Sequence, residues 1–214
     1  MRPLALTITV IFSTALIGLL IFSLIQGDVY GAATELVCLL LLWVPTILAT
    51  KDYIQMPWPI VLGIALALFL HSMGLVTDWY NTTFVWDKIT HLVSGVILGS
   101  LVAIELLFLD RRTESIEIPT IWFVFLITIM ILTMEAAWEI VEFTFDHALG
   151  TNMQHSLVDT VNDVLTNAIS GIVAGLGVVY YLSRSSAEEF LSNLRAEKMI
   201  QWFAVRFGRQ TRFR

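Results

Sequence analysis

Six long apolar segments, separated by short polar connections, dominate the pattern of hydrophobic and polar positions along the chain. A membrane-spanning helix needs about 20 mostly apolar residues, and all six segments are long enough. They run from Leu4 to Ile25, Ala32 to Ala49, Trp58 to Val76, Ile89 to Leu109, Pro119 to Phe145 and Leu157 to Leu182. The pattern therefore predicts an all-α polytopic membrane protein with six transmembrane helices.

Positive charge is distributed unevenly over the connections between these segments. With six spans, the basic residues of the short connections fall on one side: Arg2, Lys51, Arg111, Arg112 and the arginines from Arg206 onward. The opposite side carries Asp28, Asp78 and the connection from His147 to Ser156, with Lys88 as the one basic residue near it. Because cytoplasmic loops are enriched in Lys and Arg, we expect both termini to be cytoplasmic, in a multi-pass protein of the plasma membrane.

The chain after the sixth span has a different pattern. Apolar residues recur there at spacings of three and four, which predicts an amphipathic helix on the membrane surface: Ala187, Phe190, Leu191, Leu194, Ile200, Phe203 and Phe207. We therefore divide the chain into a six-helix transmembrane domain, residues 1–183, and a cytoplasmic interfacial helix with a basic tail, residues 184–214.

Composition agrees with a membrane protein and excludes several other classes. Of the 214 residues, 57% are hydrophobic and 14% charged, whereas a soluble domain has about 25% charged residues. The mean hydropathy is +0.79. The one cysteine, Cys38, cannot form an intrachain disulfide, and nothing in the sequence resembles a nucleic-acid-binding domain. The expected partner is the lipid bilayer.

Carboxylates interrupt this apolar pattern between residues 135 and 167, a stretch without Lys or Arg. Glu135, Glu139, Glu142 and Asp146 are spaced i, i+4, i+7 and i+11, which places them on one stripe of the fifth helix. Asp159 and Asp163 share a face at the start of the sixth. Carboxylates inside a membrane are costly and usually mark a functional site.

Other polar residues are predicted to lie at the same membrane depth. Asp87 and His91 share a face at the start of the fourth helix, and His71 lies near the end of the third. Residues 87–99, DKITHLVSGVILG, also align without gaps with residues 163–175, DVLTNAISGIVAG, which sets His91 against Asn167. Each copy ends in a Gly-x3-Gly pair, a pattern that lets membrane helices approach closely.

The residue types indicate a metal site. Carboxylates in a low-dielectric region must be protonated or neutralised by a cation, and carboxylates with histidine are the usual ligands of Mn, Fe, Mg or Zn. The predicted ligands are His91, Glu139, Glu142, Asp159 and Asp163, with Glu139 and Asp163 as the catalytic candidates. Supporting or proton-relaying positions are His71, Asp87, Glu135, Asp146 and Asn167.

The stretches WDKITHLVSG, EAAWEIVEFTFD and DTVNDVLTNAISG resemble the YjdF-like family of bacterial and archaeal integral membrane proteins. The Asp-Lys-x-x-His opening of the fourth helix also resembles, more distantly, VanZ-like proteins. The resemblance covers Trp86 to Gly175. It implies the membrane architecture and the site, but no particular reaction.

Three functions are compatible with these residues. The first is a metal-dependent hydrolase of a lipid-linked or phosphorylated small-molecule substrate at the outer leaflet. The second is a cation- or proton-coupled transporter, in which the stripe from Asp146 to Glu135 is a relay. The third is a non-catalytic assembly or sensing protein that an ion stabilises. The sequence leaves the substrate, the metal and the oligomeric state open.

Overall fold

The computed structural model describes residues 3–112, 117–196 and 198, apart from the side chains of residues 84, 111 and 112. Within these residues the chain is helical and contains no strand. The helices are α1 (Pro3–Gln26), α2 (Val29–Thr50), α3 (Trp58–Val76), α4 (Trp79–Thr82), α5 (Phe84–Arg112), α6 (Trp122–Leu149), α7 (Leu157–Leu182) and α8 (Ala187–Asn193).

Six of these helices, all except α4 and α8, are long and apolar enough to cross a membrane. The predicted all-α architecture with six spans is therefore confirmed. Local side chains set several of the boundaries. Asp28 starts α2 by accepting a 2.9 Å hydrogen bond from the Gly31 amide, a standard helix N-cap. Gly150 ends α6 with a backbone φ of +69°, which glycine adopts without steric cost.

The spanning helices pack as two connected groups. α1, α2 and α3 pack against one another, α3 continues onto α5, and α7 packs against both α5 and α6. The α1–α2 turn, α4 and the loop from 150 to 156 meet at one end of the bundle, where His155 contacts Asn81 and Tyr30 contacts Met153. We call this the acidic end. Its position outside the cell remains a prediction.

The interior away from the acidic end is a dry apolar core. Phe123, Ile127 and Ile131 of α6 are almost fully buried there, together with Val102 and Leu107 of α5. Apolar side chains of this size fill most of the space between α5, α6 and α7 away from the acidic end.

The segment after α7 begins by packing against the protein. Ala187 and Leu191 of α8, followed by Leu194 and Ala196, are buried in the same apolar core. The Gln55 amide also donates to the Leu194 carbonyl at 2.6 Å, which fastens this segment to the α2–α3 connection. The rest of the predicted amphipathic helix and basic tail, residue 197 and residues 199–214, lies outside the described residues.

Glycine pairs allow α7 to approach both of its neighbours closely. A Cβ on Gly175 would lie 2.5 Å from the Val124 Cα of α6, and one on Gly95 would lie 2.5 Å from the Asn167 Oδ1. Both distances are shorter than any ordinary contact, so a methyl group cannot be added without a shift. The close packing predicted for the two Gly-x3-Gly pairs is therefore present, and it brings the polar residues of α5, α6 and α7 together.

Candidate functional site

The two aligned segments of α5 and α7 lie side by side, parallel and in register. Asp87 and Asp163 bond to the same ammonium group, and the His91 Nδ1 lies 2.9 Å from the Asn167 Nδ2. Residues that the alignment makes equivalent therefore face each other across the α5–α7 interface. We refer to the side chains gathered here as the polar cluster: Asp87, Lys88, His91, Glu135, Asp159, Asp163 and Asn167.

Lys88 lies at the focus of three carboxylates. Its Nζ is 2.7 Å from an oxygen of each of Asp87, Asp159 and Asp163. An ammonium group has three N–H donors, so each proton has its own carboxylate. The Lys88 side chain is only 17% exposed, and a charge-assisted hydrogen bond strengthens as water is excluded. One basic residue thus holds α5 and α7 together at the acidic end.

His91 lies one turn deeper and contacts acidic groups through both ring nitrogens. Its Nε2 is 3.4 Å from the Asp87 Oδ1 and 3.8 Å from the Asp163 Oδ1. Its Nδ1 is close to Asn167 and 3.4 Å from the Glu135 Oε2. With the Asn167 amide nitrogen donating to Nδ1, the imidazole proton resides on Nε2 and points toward the two aspartates.

Asp87, His91 and Asp163 form a compact group of possible metal ligands. One ligand atom from each residue can be chosen so that all three lie within 4.8 Å of one another. Asp163 is nearly buried, while Asp87 and His91 are partly exposed toward the acidic end. Two carboxylates and an imidazole are ligands that divalent metals such as Zn, Mn or Fe accept.

Glu135 is the deepest carboxylate of the cluster. Its Oε2 accepts a 2.5 Å hydrogen bond from the Asn167 Nδ2, whereas its Oε1 is buried without a hydrogen-bond partner. A single asparagine therefore joins His91 of α5 to Glu135 of α6. An unpartnered buried carboxylate oxygen is unfavourable unless it binds a proton, a water molecule or a cation.

Glu139 lies one turn above Glu135 and bonds to different partners. Its Oε2 accepts 2.8 Å hydrogen bonds from the Gln154 Nε2 and from the Thr160 Oγ1, and its Oε1 has no hydrogen-bond partner. Glu139 thus lies beside the polar cluster rather than in the Asp87–His91–Asp163 group, and it keeps one free oxygen.

The outer carboxylates of α6 have separate partners. Glu142 accepts a 2.9 Å hydrogen bond from the Trp138 indole of its own helix. Asp146 accepts hydrogen bonds from the Thr151 hydroxyl and from the Met153 and Gln154 amides. Asp146 therefore shapes the loop that brings the Gln154 side chain to Glu139, while Glu142 bonds within its own helix and, among the described residues, forms no hydrogen bond to the polar cluster.

Asp159 connects the polar cluster to the surface. It bonds to Lys88, and its Oδ2 lies 3.3 Å from the His155 Nδ1. The opposite nitrogen of His155 lies 2.8 Å from the Asn81 Oδ1. These contacts link the loop before α7 to the short helix α4.

His71 reaches the cluster through an intermediate chain of hydroxyl groups. Its Nδ1 is 2.9 Å from the Tyr80 hydroxyl, which donates to the Thr90 Oγ1 at 3.4 Å. Thr90 in turn donates to the Asp87 carbonyl. Burial raises the pKa of the Tyr80 hydroxyl above its ordinary range, so this hydroxyl remains protonated and available as a donor.

The structure thus places the predicted residues in two sets. His91, Asp163 and Asp159 of the predicted ligands meet in the polar cluster, together with the supporting residues Asp87, Glu135 and Asn167. Glu139, Glu142, Asp146 and His71 lie around it with partners of their own. Sequence reasoning did not assign Gln154, Thr160 or Tyr80 to the site, because loop residues and single hydroxyls follow no period.

Within the described residues, the hydrogen bonds between α5, α6 and α7 end one turn below Asn167. Ser170 donates to the Leu92 carbonyl across the α5–α7 interface. Further down, the Ser100 and Thr128 hydroxyls donate to carbonyls of their own helices, and the dry core begins. Within the described part of α5, α6 and α7, the hydrogen-bonded polar side chains therefore lie toward the acidic end and do not continue as a path through the helices.

Comparison with known proteins supports the membrane architecture. A family model described as "Predicted membrane protein (DUF2238)" matches residues 8–184, which includes all six spans apart from the first residues of α1. No curated protein and no solved structure matches the chain. The narrower YjdF-like and VanZ-like resemblances stay predictions.

Proposed function

The chain belongs to the Predicted membrane protein (DUF2238) family, and we propose that this integral membrane protein binds one divalent metal ion between Asp87, His91 and Asp163. The observation that carries the proposal is the convergence of their ligand atoms within 4.8 Å. These residues come from two helices whose approach is set by glycines and by Lys88, so the donor set is held by the packing of the bundle.

The surroundings of His91 suit a metal ligand. Its Nε2 faces Asp87 and Asp163, and its Nδ1 faces Asn167. A ligating histidine usually donates its second N–H to a fixed acceptor. The Glu135 Oε2, 3.4 Å from Nδ1, is the acceptor for the Nδ1–H of the metal-bound form, and the Asn167 Nδ2 then donates to Glu135 alone. The oxygen and nitrogen donors fit Zn, Mn or Fe, and also Mg.

A bound metal would polarise a scissile group or lower the pKa of a coordinated water molecule. The chain supplies acceptors for a proton near this position. The Oε1 atoms of Glu135 and Glu139 are both buried and without a hydrogen-bond partner. We assign Glu139 as the general base, because it lies nearer the acidic end, and Asp163 as the central ligand. The substrate we propose is a lipid-linked or phosphorylated molecule at the membrane surface.

The distribution of polar groups along the helices favours hydrolysis over transport. A transporter needs polar groups or water on both sides of its binding site. Below Glu135 the described residues of α5, α6 and α7 instead pack as the dry core of Phe123, Ile127 and Ile131. Polar groups confined to the acidic end suit a substrate that enters and leaves from that end.

One observation favours a second candidate, a non-catalytic assembly or sensing protein. Lys88 already bonds to three carboxylates and shares Asp163 Oδ1 with the proposed metal site. In this alternative the lysine is the cation that neutralises the cluster, and the network serves to hold α5 against α7. The two candidates differ in whether purified protein binds a metal.

Metal analysis of protein purified in detergent tests the proposal. We expect about one divalent metal per chain after incubation with Mn²⁺ or Zn²⁺ and removal of the excess. His91→Ala and Asp163→Asn should weaken binding by more than the roughly 10–100-fold that follows loss of an outer partner. Glu105→Gln is the matched control, because Glu105 is an exposed carboxylate of the same helix α5. Equal, substoichiometric metal in wild type and all three variants would favour the Lys88 alternative.

A further inference from the structure

A second buried carboxylate lies outside the polar cluster, in the α1–α2–α3 group. Glu35 of α2 is completely buried, with a relative exposure of 0%. It lies six residues after the first residue of α2, about 9 Å into the helix at 1.5 Å per residue. Neither of its carboxylate oxygens has a hydrogen bond of ordinary geometry, although the Ser72 hydroxyl is close enough to interact with the carboxylate. A buried carboxylate in this state requires a proton or a cation to neutralise it.

One buried serine hydroxyl of α3 interacts with Glu35, and one of α1 lies beside the preceding turn of α2. Ser72 of α3 lies beside Glu35 and beside Cys38. Ser23 of α1 lies about one turn toward the acidic end, with its Oγ 3.1 Å from the position that a Cβ on Gly31 would take. Ser23 and Ser72 are both buried, and neither hydroxyl has a hydrogen bond of ordinary geometry.

These serines differ from many other hydroxyl groups in the spans. Thr9, Thr14 and Thr34 of α1 and α2 donate to the carbonyl four residues earlier in their own helix. That bond is the usual way to satisfy a hydroxyl in a membrane helix. Ser23 and Ser72 do not form it, so their oxygens remain available to a ligand.

We propose that Glu35, Ser72 and Ser23 form a binding site for one monovalent alkali cation between α1, α2 and α3. The donors are oxygens, which hard cations prefer. Glu35 is the buried carboxylate of this group, whereas Asp28, which interacts with it electrostatically, is exposed at the start of α2. A monovalent ion therefore leaves the buried part of the site neutral, whereas a divalent ion would leave an uncompensated charge in a low-dielectric region. The site is independent of the proposed divalent metal site, because it shares no residue with the polar cluster.

Thermal denaturation in detergent with Na⁺ or an equal concentration of choline as the cation tests this proposal. At a hundredfold excess over Kd, Na⁺ should raise the midpoint by about 5–10 °C. Glu35→Gln should remove this difference, while Glu105→Gln should retain it. His91→Ala should also retain it, which separates this site from the proposed divalent metal site.

Two results would overturn the proposal. One is a wild-type midpoint that is identical in Na⁺ and choline, together with an infrared carboxylic-acid band that Glu35→Gln removes. This result would mean that a proton, not a cation, neutralises Glu35. If Glu35→Gln does not fold, Ser72→Ala is the second variant. It should respond to Na⁺ only at higher concentrations, and an unchanged Na⁺ titration in this variant would be the other contrary result.

Discussion

The α5 segment from Asp87 to Gly99 and the α7 segment from Asp163 to Gly175 share a sequence pattern but differ in chemistry. Both begin with an aspartate at the acidic end and both end in a Gly-x3-Gly pair. Where α5 has Lys88 and His91, however, α7 has Val164 and Asn167. The ammonium group and the imidazole of the polar cluster therefore both come from α5, along with the Asp87 carboxylate, whereas α7 contributes carboxylates and an amide.

The glycine pairs of the two segments also have different neighbours. A Cβ on Gly95 or Gly99 would meet side-chain atoms of α7, among them the Asn167 Oδ1 and the Ala174 Cβ. A Cβ on Gly171 or Gly175 would meet the backbone of α6 instead, at the Cα atoms of Thr128 and Val124. The same motif thus packs α5 onto α7 and α7 onto α6, and a shared pattern provides both interfaces of the site.

We expect the largest loss of stability from removal of the Lys88 ammonium group. Lys88 is the cation that α5 has and that the equivalent position of α7 lacks. Lys88→Met leaves Asp87, Asp159 and Asp163 close together without their shared cation. Breaking a buried ion pair costs about 3–5 kcal/mol, so we expect a loss of this size in the free energy of unfolding, measured by denaturant titration in micelles. Mn²⁺ should restore part of the loss if the proposed metal site exists.

Lys51→Met is the matched control for this experiment. Lys51 is exposed at the opposite end of the bundle, so its loss should change the free energy of unfolding by less than about 0.5 kcal/mol. If Lys88→Met were as stable as Lys51→Met without added metal, the three 2.7 Å contacts would not stabilise the fold, and the account of Lys88 as the link between α5 and α7 would be wrong.

The membrane-spanning helices could be predicted from the sequence because their length and apolar character are properties of continuous segments. The same holds for shared faces. Asp87 with His91, and Asp159 with Asp163, are one turn apart and do meet in the polar cluster. Helical spacing determines which side chains share a face, and bilayer thickness determines how long an apolar segment must be.

Partners across helices could not be predicted in this way. Glu139 lies on the same stripe as Glu135, yet it bonds to Gln154, a residue in a loop that Asp146 shapes. Lys88 is next to Asp87 in sequence, and nothing in the pattern indicated that it would also reach Asp159 and Asp163 of α7. Such contacts depend on the rotation and depth of each helix, which are set by packing at the glycines and by the loops.

We expect the second largest loss of stability from a methyl group added at Gly175. This substitution also tests the difference between the two glycine pairs. The added Cβ would lie 2.5 Å from the Val124 Cα, and a backbone atom cannot rotate away as a side chain can. We expect Gly175→Ala to lower the free energy of unfolding by about 1–3 kcal/mol, the usual cost of overpacking. Thermal midpoints in detergent provide the measurement.

Gly177→Ala is the control for Gly175→Ala within the same helix. A Cβ on Gly177 would have no atom within 4 Å, and alanine favours the helix over glycine, so its midpoint should equal or slightly exceed that of the wild type. Equal midpoints for the two variants would mean that α7 can move away from α6 at little cost, contrary to the close packing described above.

We expect the smallest loss of stability at the serine that occupies equivalent positions in the two segments. Ser170 donates to the Leu92 carbonyl of α5 at 3.2 Å and to the Thr166 carbonyl of its own helix at 2.9 Å, whereas its counterpart Ser94 has no hydrogen bond among the described residues. Interhelical hydrogen bonds in membrane proteins contribute about 0.6 kcal/mol on average. Ser170→Ala should therefore destabilise the bundle by about that amount, and Ser94→Ala by less. Paired denaturant titrations of the two variants measure the difference. A larger loss of stability for Ser94→Ala would contradict the prediction that Ser170 contributes more to stability than Ser94.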